Sequence, residues 1–177
     1  MDREVYRNRI HKGSLSAFKV VVKETDLLVH ARCDLSDHAR EAVLKYRGYI
    51  ESFIERNPSF ADALKPWRST AWQPAIISEM IAAGKNAGVG PMAAVAGAMA
   101  EFVGRELLYL SEQVIVENGG DVFIKTDLPL TVGIFAGTSP LNLKIGLKID
   151  AASRPMGVCT SSGTVGHSIS FGKADAV

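Results

Sequence analysis

The spacing of apolar residues changes period twice along the chain, and this limits the possible folds more than any other feature. Within the first thirty residues Phe18, Val20 and Val22 fall on one side and Lys19 and Lys23 on the other, and Lys23-Glu24-Thr25-Asp26 supplies a polar turn before Leu27, Leu28 and Val29. This alternation of two predicts an opening β-hairpin. Between Asp34 and Leu110 the spacing becomes helical, and from Val114 onward it returns to two. Helices grouped in the first two-thirds with strands at both ends predict an α+β domain with mostly antiparallel sheet, not alternating βαβ units.

The first helix is expected to start near Asp34 or Ser36, either of which can accept a hydrogen bond from the free N–H groups of the first turn. Ala39, Val43, Tyr46, Ile50 and Phe53 mark its buried stripe, Glu41/Lys45 and Arg47/Glu51 are expected to pair across one turn on the wet side, and Asn57-Pro58 ends it. Trp67 and Trp72 lie in a proline-bounded connection and are expected to plug the edge of the core. Pro74 opens a second helix with Ile76, Ile77, Met80 and Ile81 buried. Gly84, Gly88 and Gly90 then precede Pro91. A glycine-rich turn feeding a helix N-terminus suits phosphate, but this one has neither a Gly-Lys-Ser/Thr ending nor a preceding strand.

The third helix, from about Pro91 to Leu110, is built from Ala93, Ala94, Ala96, Gly97, Ala98, Ala100 and Gly104, and carries no charge before Glu101. Small side chains admit close backbone approach, which places it in the middle of the domain. Gly97 and Gly104 each cost about 1 kcal/mol against alanine in a helix, so tight packing or ligand access must need them there. Glu101 and Arg105, one turn apart, should satisfy each other. Beyond it, Val114 to Val116 and Val122 to Ile124 flank Glu117-Asn118-Gly119-Gly120-Asp121, a hairpin whose turn calls for positive φ at Asn and Gly. Short strands are expected over 131–135 and 154–159. Leu141, Leu143, Ile145, Leu147 and Ile149 alternate without a miss, predicting a strand with one buried face.

At 177 residues, 47% apolar and 22% charged, the chain can bury a core without disulfides or structural metal, and it is expected to form a single domain over 1–177. A net charge of +1 gives no reason to invoke nucleic acid. The arginines Arg3, Arg7 and Arg9 are expected on a solvated strand face. The charged start Met1-Asp2-Arg3-Glu4 has no apolar signal core, and no run reaches the roughly 20 apolar residues of a membrane span, so a cytoplasmic protein without membrane attachment is expected. Cys33 and Cys159 lack metal-site spacing and are expected as free thiols, Cys159 buried and inert; no metal site is expected among these residues. The ending Lys173-Ala174-Asp175-Ala176-Val177 suggests a missing C-terminal part.

Two glycine-containing loops concentrate the chemistry. Gly119 and Gly120 allow backbone to lie against a flat or phosphorylated ligand, and Asp121 can accept hydrogen bonds from hydroxyl or ring N–H groups. Thr160, Ser161, Ser162 and Thr164, with Gly163 among them, can contact phosphate oxygens through side chains and backbone N–H groups. Cys159 and His167 are the candidates for a catalytic role. Neither a G-x-S-x-G elbow nor an orienting acid accompanies the histidine, so its default role is hydrogen bonding and the catalytic residues stay unassigned.

Gly119-Gly120-Asp121 after an apolar strand, followed by Thr160-Ser161-Ser162-Gly163 and His167, resembles the ApbE-like superfamily, the FAD:protein FMN transferases. The runs Gly90-Pro91-Met92-Ala93-Ala94-Val95-Ala96-Gly97 and Gly157-Val158-Cys159-Thr160-Ser161-Ser162-Gly163-Thr164-Val165-Gly166-His167-Ser168 look closer still to a short bacterial and archaeal branch of it. The resemblance implies a T-fold-like domain and FAD or FMN as ligand. It also implies Mg²⁺ held by residues beyond Val177, and transfer of FMN to a Ser or Thr of another protein. By this likeness Asn118, Gly119, Gly120 and Asp121 would face the flavin nucleotide, Thr160, Ser161, Ser162, Gly163 and Thr164 its phosphates or ribityl chain, and His167 would stand where the transferases have a histidine before Asp-Pro. The chain has an extra serine in the second loop, reads His-Ser-Ile-Ser instead, and lacks the transferases' Lys-Gly pair in its central helix.

The expected function is therefore binding of a flavin nucleotide or other small phosphorylated molecule between the two loops, with homodimerisation open. The alternatives are a sulfur-handling protein that uses Cys159 beside His167, or a non-catalytic partner protein that uses the same pocket as a contact surface.

Overall fold

The computed structural model describes residues 15–68, 72–136, 139–151 and 154–159. Arg3, Arg7 and Arg9 and the whole 160–177 stretch lie outside the described residues.

The opening alternation forms strands β1 (Ser16–Val22) and β2 (Thr25–Ala31), antiparallel from Ser16↔Ala31 to Val22↔Thr25. Their two-residue turn places Lys23 at φ 52°. The turn is anchored to the first helix: Lys23 Nζ lies 3.0 Å from Glu51 Oε2, and Arg47 donates to Thr25 Oγ1 at 2.7 Å and to Glu24 Oε2 at 2.7 Å.

Helix α1 (Ser36–Arg56) follows, with Asp34 Oδ1 accepting the Ser36 N–H at 2.9 Å. All five residues of its expected stripe are buried. Arg47 pairs with Glu51 as the spacing predicts, but Lys45 leaves Glu41 and reaches across to Glu106 at 2.6 Å. The third helix lies close enough to compete, and Glu106 also accepts a 2.6 Å bond from the Tyr46 hydroxyl. Trp67 packs edge-on against Phe60 at the core margin, as expected. Trp72 does not: it is 91% exposed. One ring suffices at that edge, where Phe53, Phe60 and Trp67 already stack.

Helix α2 (Ala75–Ala87) buries Ile76, Ile77 and Met80 and closes on Gly88 in the left-handed region at φ 72°. Gly90 has a different job, since a Cβ there would collide with the Ala63 backbone. The glycines of this turn thus serve a helix end and a close chain crossing. Residues 91–94 form a 3-10 turn before helix α3 (Val95–Leu107), which is shorter than the expected span from Pro91 to Leu110. Glu101 and Arg105 pair on its outer side.

Strands β3 (Val114–Asn118) and β4 (Asp121–Lys125) join β1 and β2, and β7 (Met156–Val158) completes an antiparallel five-stranded sheet in the order β1-β2-β3-β4-β7. Helices α1 and α3 pack on one face, with Phe18, Val20, Leu27, Val29, Val114, Val116 and Phe123 beneath them. Each such side chain contributes about 1.5–3 kcal/mol when fully buried. The expected α+β antiparallel class is the observed one.

Strands β5 (Leu130–Gly133) and β6 (Gly146–Ile149) form a separate two-stranded sheet. The unbroken alternation over 141–149 therefore overstates the strand. Leu143 sits at φ 57° and residues 139–144 turn, so only 146–149 pair; Leu141, Ile145 and Leu147 stay exposed. A single partner strand supplies a ladder but no covering layer, so alternation alone cannot bury a face here.

Candidate functional site

Gly119 and Gly120 occupy the two central positions of the β3–β4 turn, at φ 63° and 108°, with Asn118 paired to Asp121 across it. Positive φ at both central residues is the twist that joins two right-twisted strands most tightly. It falls on the two glycines, not on Asn118 as the sequence suggested. Asn118 remains in the strand, and this frees its side chain for another task.

That task is to hold the central helix. Asn118 Nδ2 donates to the Ala96 carbonyl at 3.0 Å, and the Asp121 carboxylate lies beside Gly97, where an added Cβ would stand 3.7 Å from its Oδ2. The turn itself is braced by Glu117, buried to 6% exposure, whose Oε1 accepts the Gly120 N–H at 3.1 Å. Burial pushes the Asp121 carboxyl above the usual carboxylate range, the Gly97 N–H pulls it back down, and the nearby Glu117 charge raises it again. Sequence reasoning gave Glu117 no role, and it marked Gly97 only as a helix glycine needed for tight packing or ligand access. A lone acid inside an apolar strand was the available signal for the first, and a glycine inside a helix for the second.

Strand β7 brings the second expected loop to its starting point. It pairs with β4 at Val122↔Val158, Phe123↔Gly157 and Ile124↔Met156. Antiparallel register then delivers Cys159 to the end of the sheet where Asp121 begins β4. Cys159 is exposed, not buried, because it lies just past a short three-residue strand in which no residue is fully buried. Cys33 follows β2 at the opposite end of the sheet and is exposed as well. Thr160, Ser161, Ser162, Gly163, Thr164 and His167 lie outside the described residues.

Among the described residues no group of three or more His, Cys, Asp or Glu side chains is arranged to hold a metal ion. Glu117 and Asp121 supply two carboxylates beside two backbone N–H donors. That arrangement can accept hydrogen bonds from a ligand's hydroxyl or ring N–H groups, and it repels an anion placed against it. A half-open groove of about 360 Å³ also runs between α1 and α3, lined by His38, Glu41, Lys45, Glu106, Tyr109 and Leu110. Its central charges are satisfied internally by the Lys45–Glu106–Tyr46 cluster. No single helix among the described residues is long and apolar enough to cross a membrane.

An antiparallel sheet backed by helices, with its glycine turn tied to the start of the central helix, defines an α+β protein whose candidate site lies at one end of the sheet. The chain belongs to the family described as AbpE bacteria, whose model matches residues 7–177. It is similar to a UPF0280 protein of Methanococcus aeolicus, 42% identical over 163 residues that cover 90% of this chain and 66% of the relative. A UPF0280 protein of Methanocaldococcus jannaschii is 40% identical over 164 residues, with the same shares. One of Methanocella arvoryzae is 40% identical over 159 residues, covering 89% of this chain and 64% of the relative. The chain thus spans about two-thirds of the length of these curated relatives.

Proposed function

We propose that the protein binds a flavin nucleotide or another small phosphorylated cofactor at the sheet end where Asp121 starts β4 and the chain leaves β7 through Cys159. The observation that carries this reading is the β4–β7 register, which brings the origins of both chemistry-bearing loops to one place. The half-buried Asp121, first residue of β4 and next to Gly97 of α3, adds an acceptor for the hydroxyl or ring end of such a ligand. The phosphate end belongs, in this reading, with the hydroxyls of Thr160, Ser161, Ser162 and Thr164. Flavin transfer is not part of the proposal.

The test is a thermal-shift and flavin-fluorescence titration of purified protein with FAD and FMN, with Mg²⁺ present. Saturable stabilisation that weakens in Asp121→Ala is the expected result, since a ligand bound only by the folded state raises its stability. No response at millimolar ligand sinks the proposal.

The exposure of Cys159 favours a second reading, in which its thiol carries sulfur as a persulfide. Treatment with a cysteine desulfurase and cysteine should then add the mass of one sulfur to Cys159, and Cys159→Ala should abolish the addition.

A further inference from the structure

Strands β5 and β6 form a ribbon whose two faces differ in chemistry. Directly paired residues share a face, and neighbours along a strand alternate between faces. The pairs Leu130↔Ile149 and Val132↔Leu147 therefore stand on one side, and Thr131↔Lys148 and Gly133↔Gly146 on the other. The pairing goes one step further, since Ile134 donates its N–H to the Ile145 carbonyl at 3.1 Å. Alternation adds these two residues to the first side, which then holds six aliphatic residues and no charge. A two-stranded ribbon is marginal in water unless something covers its apolar face. Among the described residues no helix or third strand forms a layer over it. Leu147 is 47% exposed and Ile145 46%, so the face stands in solvent. Single apolar side chains on a surface need no explanation, but a contiguous set on one face marks a contact.

We infer that this face is a dimer contact, on which the ribbon of a second copy of the chain lies face to face. The placement of charge selects this occupant. A two-fold contact sets one patch against itself, so any charge on the patch would meet its own like. This face carries none, and Lys148 points away from it on both copies. A ribbon that lay on an anionic lipid surface would instead need cations beside its apolar side. A charged partner protein would find nothing on the face to pair with. Area sets the strength. Stacked sheets lie about 10 Å apart, a gap that aliphatic side chains fill, but six residues are far fewer than the roughly 20–30 a side of a standard interface. The dimer is therefore weak, with a Kd of about 10 µM to 1 mM. This contact does not depend on the proposed cofactor.

Sedimentation velocity of the purified chain across about 5–500 µM tests it. The weight-average sedimentation coefficient of the wild type should rise with concentration. Leu147→Lys and Ile145→Lys should each weaken association by about tenfold or more, because each would bring two like charges into the contact. Lys148→Gln, on the back of the ribbon, should dimerise like the wild type. Leu147 and Ile145 are half exposed in the monomer, so their variants should keep the wild-type thermal midpoint at low concentration. Should Leu147→Lys not fold, Leu147→Gln is read by the same measure. A chain that stays monomeric at about 500 µM overturns the proposal. So does a dimer that survives both lysine variants, or one that Lys148→Gln weakens as much as they do. Binding to phosphatidylcholine vesicles that Leu147→Lys abolishes, without dimerisation, gives the face to lipid and overturns it too.

Discussion

Gly104 of α3 has no side chain because the ring of Phe123 on β4 occupies the place where a Cβ would stand. The helix therefore lies lower on the sheet than any larger residue would allow. Gly104→Ala should destabilise the fold by about 1–3 kcal/mol through overpacking, offset in part by the gain of about 1 kcal/mol in helix propensity. Denaturant unfolding of Gly104→Ala, Phe123→Leu and the double variant checks this. The double variant should be more stable than the sum of the single effects predicts, because the smaller side chain makes room for the new methyl.

Gly97 should behave in the opposite way. A Cβ there meets Asp121 Oδ2 at an ordinary 3.7 Å contact and nothing closer. Gly97→Ala should thus leave stability unchanged or raise it by up to about 1 kcal/mol. If the glycine is present for ligand access, the same variant should bind FMN more weakly than wild type, measured by fluorescence titration.

Protonation of Asp121 should leave a mark on stability. Folding raises its pKa, first through burial and also through Glu117, so the native protein holds that proton more tightly than the unfolded chain. The associated stability is fully present below the unfolded value of about 3.9 and is lost as pH rises through the folded value. Asp121→Asn carries no such proton. The stability of wild type relative to Asp121→Asn should fall across that window. A difference that stays constant, or that grows in favour of wild type with rising pH, contradicts the burial account.

Glu106 should show the reverse slope. Lys45, and after it Tyr46, hold its carboxyl below the usual carboxylate range. Its contribution is present above the unfolded value of about 4.3 and is lost as pH falls through the folded one. At neutral pH Glu106→Gln should cost about 1–2 kcal/mol, more through the Tyr46 hydroxyl than through the half-exposed Lys45. A double-mutant cycle with Tyr46→Phe measures that share.

The two cysteines provide an internal comparison. Both are exposed and stand at opposite ends of the sheet, so both should alkylate without denaturant. A ligand at the Asp121 end should slow modification of Cys159 and leave Cys33 unaffected, read by mass spectrometry of the two peptides. Equal protection of both thiols would point to a general stabilisation instead.

Much of the scaffold was legible before any coordinates. The stripe from Ala39 to Phe53, the opening hairpin and the glycine turn at Gly119-Gly120 were recognisable because each follows from local spacing or from a backbone angle that few residues adopt. The misses share a cause. Lys45 abandoned Glu41 for Glu106, Trp72 stayed in solvent, and the alternating run at 141–149 lacked a covering layer, all because a partner distant in sequence was present or absent.

The candidate site divides along the same line. Residue type by itself marked Asp121 and Cys159 as chemically useful, since a carboxylate after a glycine turn and a thiol before a run of hydroxyls need no fold to be noticed. Their shared sheet end, the burial of Glu117 and the grip on α3 came only from the tertiary structure. Strand register and helix placement are set by contacts between residues far apart in the chain, and local sequence holds no record of which distant neighbour will arrive.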